Sequence, residues 1–181
     1  KKVLKDSGIF FKSINSWPDH PLYIKALREN ILRASARLRE PERAHLLFSA
    51  HSLPVSFIEK GDPYVKELMT TINEVMKGLS FPWHLAYQSR SGPVRWLSPS
   101  TEEKLIELGH AGVKEVLVVP VSFVSDHIET LYEIDIYYKD IAEKAGVRLI
   151  RTESLNTNPL FIEALYDIVT KNMEDQGWQR L

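Results

Sequence analysis

Short runs rich in β-branched and aromatic residues alternate along the whole chain with longer stretches of helical periodicity, and this rhythm constrains the fold more than any other feature. The apolar runs cover residues 9–14, 45–50, 83–88, 115–121 and 147–153, each bounded by polar, Gly or Pro residues. Strands separated by helices imply βα units, and therefore an α/β fold with a parallel sheet flanked by helices.

Helical patterns fill every interval. The first helix is expected from about residue 21 to 38, where Ile24, Leu27, Ile31, Ala34 and Leu38 recur on one face. Its other face carries Lys25, Arg28, Arg33 and Arg37. Such a face suits peripheral contact with a membrane, although a solvated surface is the default reading. A second helix should follow Asp62-Pro63 and end near Gly78. A third follows Ser100 and stops at Gly109. The fourth follows Asp126, with a core stripe of Ile128, Leu131, Ile134, Tyr138, Ile141 and Ala145, and is closed by Gly146. A fifth starts around Asn158-Pro159 and carries Leu160, Ile162, Leu165 and Ile168. The tail 171–181 turns polar and is expected to fray, Trp178 excepted.

Composition narrows the function. At 181 residues and 44% hydrophobic content the chain suits one domain with a sizeable core, so a single unit over 1–181 is expected. Its 23 basic residues nearly balance 24 acidic ones, which argues against a nucleic-acid partner. The lack of cysteine excludes disulfides, a cysteine nucleophile, thiolate zinc sites and a cysteine-held iron-sulfur cluster within these residues. No apolar run approaches the roughly 20 residues of a spanning helix, and the start, Lys1-Lys2-Val3-Leu4-Lys5-Asp6, does not read as a signal peptide, so a soluble, cytoplasmic chain is expected. The missing initiator Met and the opening in mid-pattern suggest a segment of a longer protein. Neither G-x-G-x-x-G nor G-x-x-x-x-G-K-S/T occurs, which disfavours a nucleotide-binding domain.

In an open α/β sheet, ligands bind beyond the carboxyl ends of the strands. The second apolar run leads into Ser49-Ala50-His51-Ser52-Leu53-Pro54, and the third into Gln88-Ser89-Arg90-Ser91-Gly92-Pro93. The fourth leads through Ser122 and Phe123 to Asp126, His127 and Glu129, and the fifth to Ser154, Leu155 and Asn156. Neutral imidazole is both a base near physiological pH and a ligand for divalent metals, so His51 could take a proton or hold a metal. A hydrogen-bonded structural role is the commoner fate of a lone loop histidine. Asp126, Glu129, Glu133 and Asp140 share one helix stripe, which is either the wet side of that helix or, at its first turns, part of a cleft. His127 projects towards the apolar side. Trp96 could stack on a flat aromatic ligand or simply pack in its loop.

Several segments together resemble a known family. FSAHSLP at 48–54, GDPY at 61–64, QSRSGPVRWLSP at 88–99, VPVSFVSDHIETLYEID at 119–135 and ESLNTNPLFIEAL at 153–165 are similar to ferrochelatases, enzymes that insert Fe2+ into a porphyrin. SWPDH at 16–20 resembles the family's segment before the first of these. The resemblance implies a flavodoxin-like or Rossmann-like, chelatase-like lobe, the second of a two-lobe enzyme whose amino-terminal lobe is a missing partner. It implies protoporphyrin IX and Fe2+ as substrates, protoheme as product and no required cofactor; a homodimer is left open.

The same resemblance assigns roles. His51 becomes the metal ligand or pyrrole base, and Glu129 the metal or proton handler across the porphyrin. Asp126, His127 and Glu133 become a proton or metal conduit. Trp96 and Ser52 become residues bordering the porphyrin. The alternative is a non-catalytic lobe that binds metal or tetrapyrrole and needs the missing half.

Overall fold

An all-parallel sheet covered on both faces needs strands that are apolar on both sides, and these strands are. The computed structural model describes residues 13–174, with side chains through Met173. Strands β1 (His45–His51), β2 (Trp83–Gln88), β3 (Glu115–Pro120) and β4 (Arg148–Arg151) pair in parallel in the order β2-β1-β3-β4. Helices α1 (Pro21–Ser35), α3 (Tyr64–Met76) and α7 (Pro159–Glu174) pack one face, where Ile31, Ile72, Phe161 and Ala164 meet Leu46, Phe48, Leu117, Val119 and Ile150. The other face carries α4 (Thr101–His110), a short α5 (Ile128–Leu131), a π-helical segment (Glu133–Tyr138) and α6 (Lys139–Lys144). There Leu105, Leu108, Ile134, Tyr138 and Ala142 meet Leu47, Val116, Val118 and Leu149. The period-two alternation of β1 and β3 thus feeds two separate cores. A short α2 (Val55–Glu59) lies in the connection after β1.

The order 2-1-3-4 has one consequence for function. From β1 the chain leaves towards α3 on one face, and from the adjacent β3 it leaves towards α5 and α6 on the other. The crevice between those diverging connections is the topological switch point, where ligands of such sheets bind.

Boundaries follow local chemistry. Ser100 caps α4 in a capping box: its Oγ accepts from the Glu103 N–H at 3.1 Å, while Glu103 accepts from the Ser100 N–H at 2.7 Å. Asn158 Oδ1 accepts from the N–H of Leu160 at 2.9 Å and so opens α7. The first helix ends at Ser35 rather than at residue 38, although Leu38 is still buried.

Three expectations need correction or fall away. The run 9–14 lies outside the described residues except for Ser13 and Ile14, which are not in a strand. The core stripe proposed for the fourth helix fails at its start, because Ile128 is 75% exposed and Leu131 47%, whereas Thr130 and Ala142 are fully buried. The cause is the π turn: Tyr137 N–H bonds to the Tyr132 carbonyl five residues back, at 3.0 Å, which widens the turn. Buried positions then recur at 130, 134, 138 and 142, a strict spacing of four instead of the 3.6-residue average. In α7 the buried residues are Phe161 and Ala164, and Ile162 is exposed, since the helix rests on α1 by one face only.

Candidate functional site at the sheet switch point

β1 ends in His51 and β3 runs into the 121–127 loop, so the switch point brings the SAHS and SDHIET segments together. His51 Nδ1 lies 3.4 Å from Glu129 Oε2, and His127 Nδ1 lies 3.9 Å from the same oxygen. All three side chains are about one-third exposed. The Phe123 ring stands edge-on to both imidazoles, with centroids 6.0 Å from His51 and 4.5 Å from His127, and so spaces them apart. The carboxylate of Glu129 is therefore open to the crevice between two histidines.

The His51 backbone is fixed at both ends. Its N–H donates to Ser122 Oγ at 2.8 Å and its carbonyl accepts from the Tyr64 hydroxyl at 2.7 Å. Burial pushes the Tyr64 phenol up to about 12, against the opposing hydrogen bond with Ser122, so Tyr64 stays a donor at neutral pH. His127 opens α5: the Glu129 N–H donates to its Nδ1 at 3.4 Å, and its own N–H donates to Thr130 Oγ1 at 3.0 Å. Because Nδ1 accepts there, the proton of neutral His127 resides on Nε2.

Glu133 lies one turn after Glu129, at the start of the π segment. Its Oε2 accepts from Gln88 Nε2 at 3.0 Å and from Ser89 Oγ at 2.8 Å, and Gln88 Nε2 also reaches the Glu129 carbonyl at 2.8 Å. Ser89 carries φ +62, a left-handed conformation that turns its hydroxyl back towards this carboxylate. Gln88 is in turn held by buried Ser49, whose Oγ donates to Gln88 Oε1 at 2.7 Å. A hydroxyl has one proton, so the 2.8 Å contact of Ser49 with Thr101 must be a bond donated by Thr101. A cavity of 360 Å3 opens here, lined by Gln88, Ser89, Glu133, Tyr132 and Tyr138 among others. A second, of 420 Å3, lies behind His51 and is lined by Trp17, Tyr64, Thr71 and Ser122 among others.

The other expected site residues are placed differently. Asp126 faces away from Glu129 into a network of its own, accepting from Arg151 at 3.1 Å, Ser154 at 2.8 Å and Asn156 at 2.9 Å. Burial raises its carboxyl, but the bonds from Asn156, Ser154 and Arg151 outweigh this and hold it below the usual carboxylate range. It secures the loop carrying His127. Ser52 is fully buried and its hydroxyl donates to the Leu97 carbonyl at 3.4 Å, so it ties two loops together. Trp96 is half-buried, and its backbone bridges Pro54, which lies three residues after His51. Asp140 pairs with Lys144 at 2.6 Å, away from the site. Sequence reading gave no role to Gln88, Ser89, Tyr64, Ser122 or Phe123. Their positions just after strand ends, or inside GDPY, were the available signal. Among the described residues no three His, Asp or Glu side chains converge as a metal cage.

The family model for ferrochelatase matches residues 1–173. The chain belongs to the ferrochelatase family. A ferrochelatase from Geotalea daltonii is 49% identical over 181 residues, covering 98% of this chain and 56% of that protein. One from Synechococcus elongatus is 50% identical over 180 residues, covering 94% of this chain and 46% of that protein. The chain thus spans about half the length of the curated ferrochelatases it matches. A crystal structure of a cobalamin (vitamin B12) biosynthesis CbiX protein from Marinobacter aquaeolei superposes with a TM-score of 0.55 at 16% identity, covering 73% of this chain and 98% of that one. That likeness supports the α/β chelatase-like fold of this ferrochelatase-family chain. No described helix is long and apolar enough to cross a membrane.

Proposed function

We propose that this chain supplies one wall of a porphyrin metallation site, and that with the remaining half of its protein it inserts Fe2+ into protoporphyrin IX to give protoheme. The observation carrying this reading is the His51–Glu129 contact of 3.4 Å at the switch point, open to solvent on one side. Metallation replaces two pyrrole N–H protons with one Fe2+, so the site needs a base, a route for two protons, and donors that release the metal afterwards. An imidazole facing a carboxylate meets the first and third needs, because two donors leave most of the coordination sphere to the macrocycle. Glu133, one turn on, offers the next acceptor along the same helix. Trp96 beside the Pro54 loop and the exposed apolar side chains Ile128, Leu131 and Tyr132 beside Glu129 would border a flat ligand.

The second reading is a non-catalytic tetrapyrrole-binding lobe, favoured by the half-length match. Both are tested by anaerobic metallation kinetics of the full-length protein carrying Glu129→Gln, alongside this chain alone. The enzyme reading expects Glu129→Gln to lower kcat at least about tenfold with little change in porphyrin KM, the pattern of an interaction made in the transition state. An unchanged kcat would remove Glu129 from the chemistry. Steady turnover by this chain alone would refute the non-catalytic reading.

A further inference from the structure

Positive charge is nearly balanced in this chain, with 23 basic and 24 acidic residues, but it is not evenly spread. At the amino-terminal edge of the sheet, away from the switch point, Arg37, Arg39, Lys114, Lys139 and Arg148 line a single open cavity of 650 Å3, with Glu143 the one acid in its wall. These cations come from four separate stretches: the loop after α1, the turn before β3, α6 and β4. Arg148 has an acidic partner, Glu115 at 2.5 Å, and also donates to the Arg37 carbonyl at 3.0 Å. Glu115 in turn accepts from the N–H groups of Arg39 and Glu40 at 2.7 and 2.9 Å, which saturates it. Among the described residues, the side chains of Arg37, Arg39, Lys114 and Lys139 have no ion-pair partner.

The backbone adds a donor. Among the described residues β4 is the edge strand, and the N–H groups of Arg148 and Thr152 bond to β3 and its extension. Strand alternation therefore turns the Leu149 N–H away from β3, along the cavity wall. The basic residues of α1 and the loop after it divide to match. Arg28 donates to the Val75 and Glu74 carbonyls at the end of α3, Arg33 pairs with Glu153, and Arg37 lines the cavity.

We propose that this cavity binds an anionic phosphate group, either free or on a phospholipid headgroup. Cations on an edge strand also deter edge-to-edge pairing, but that purpose does not require them to converge on a concave wall with an outward N–H. The site is independent of the metal chemistry and lies at the opposite edge of the sheet.

The test is calorimetric titration of the protein with inorganic pyrophosphate at low ionic strength, with parallel co-sedimentation on phosphatidylglycerol and phosphatidylcholine vesicles. Saturable pyrophosphate binding identifies a free phosphate; binding to phosphatidylglycerol vesicles alone identifies a headgroup. In either case an Arg39→Gln, Lys114→Gln, Lys139→Gln variant should bind about tenfold more weakly or worse, while a Lys25→Gln, Lys60→Gln, Lys66→Gln variant should bind as before. On the unaltered protein, pyrophosphate or the vesicles should protect Lys114 and Lys139, but not Lys60, from amine acylation read by mass spectrometry. Absence of saturable binding to either probe, equal weakening in both variants, or uniform protection would overturn the proposal.

Discussion

Replacing Ser49 with Ala probes the buried network behind the candidate site. Ser49 is fully buried, donates to Gln88 Oε1 and accepts from Thr101. The substitution removes one oxygen and leaves two orphans, the Gln88 carbonyl oxygen and the Thr101 hydroxyl proton. Each buried orphan costs about 1–3 kcal/mol, so Ser49→Ala should destabilise by about 2–6 kcal/mol. Thr101→Val orphans only one lone pair of Ser49, which still donates to Gln88, and should cost about 1 kcal/mol. In the double variant both the Thr101 orphan and the bare Ser49 lone pair are gone, so the total should fall below the sum of the single changes by about 2–4 kcal/mol. Urea denaturation of the three variants measures these values from the midpoints at constant m. A Ser49→Ala cost under about 0.5 kcal/mol, or strict additivity, would refute this hydrogen-bond network and with it the support assigned to Gln88, Glu129 and Glu133.

Other substitutions test the packing and the pH response. A Cβ at Gly109 would lie 2.5 Å from the Ala145 carbonyl oxygen, so Gly109→Ala should lose about 1–3 kcal/mol in the same urea assay, by overpacking α4 against the end of α6. Ile134→Ala, at a fully buried position, should cost about 2–5 kcal/mol, whereas Ile128→Ala, 75% exposed, should stay within about 0.5 kcal/mol; equal costs would discredit the π-shifted stripe. His45 Nδ1 and His84 Nε2 are 2.9 Å apart in nearly coplanar rings, so one of the two nitrogens must be bare. Burial holds both imidazoles below their ordinary range, and the charges of His45 and Lys104 add to this at His84, with Glu107 opposing. The folded protein therefore binds fewer protons than the unfolded chain, so the pair's cost is absent above about pH 6.5 and grows as pH falls below it. His45→Gln with His84→Gln should flatten the stability decline between about pH 6.5 and 5; parallel curves would contradict it.

Much of the fold was legible because its signals are local. Strand β2 matches the expected run 83–88, and β1 and β3 differ from theirs by one residue. Ser100 announced α4 through its capping box, and α3 follows Asp62-Pro63 as expected, although it starts at Tyr64 with Pro63 at its N-cap and without a side-chain cap bond. The π turn was not legible, since it depends on how Ile134 and Tyr138 seat against Leu47 and Val118, a tertiary matter that displaced Ile128 and Leu131 from the core. At the site, strand-end logic put the segments carrying His51 and Glu129 at one edge of the sheet, and their side chains lie 3.4 Å apart there; the roles given to them came from the family resemblance. Strand-end logic could not show that Asp126 turns to Arg151, a partner 25 residues away, or that the backbone of His51 hangs from Tyr64 and Ser122. Such pairings exist only once β1, β3 and β4 are side by side.

The central claim is that His51, facing Glu129, acts directly on metal or porphyrin protons. Its most direct test is single-turnover insertion of Fe2+ into protoporphyrin IX by the full-length protein carrying His51→Ala, with porphyrin binding followed separately by fluorescence quenching. The account predicts an insertion rate at least about a hundredfold lower, the upper part of what a positioned general base or ligand contributes being 10⁴-fold, with porphyrin affinity nearly unchanged. Insertion at close to the normal rate would contradict it.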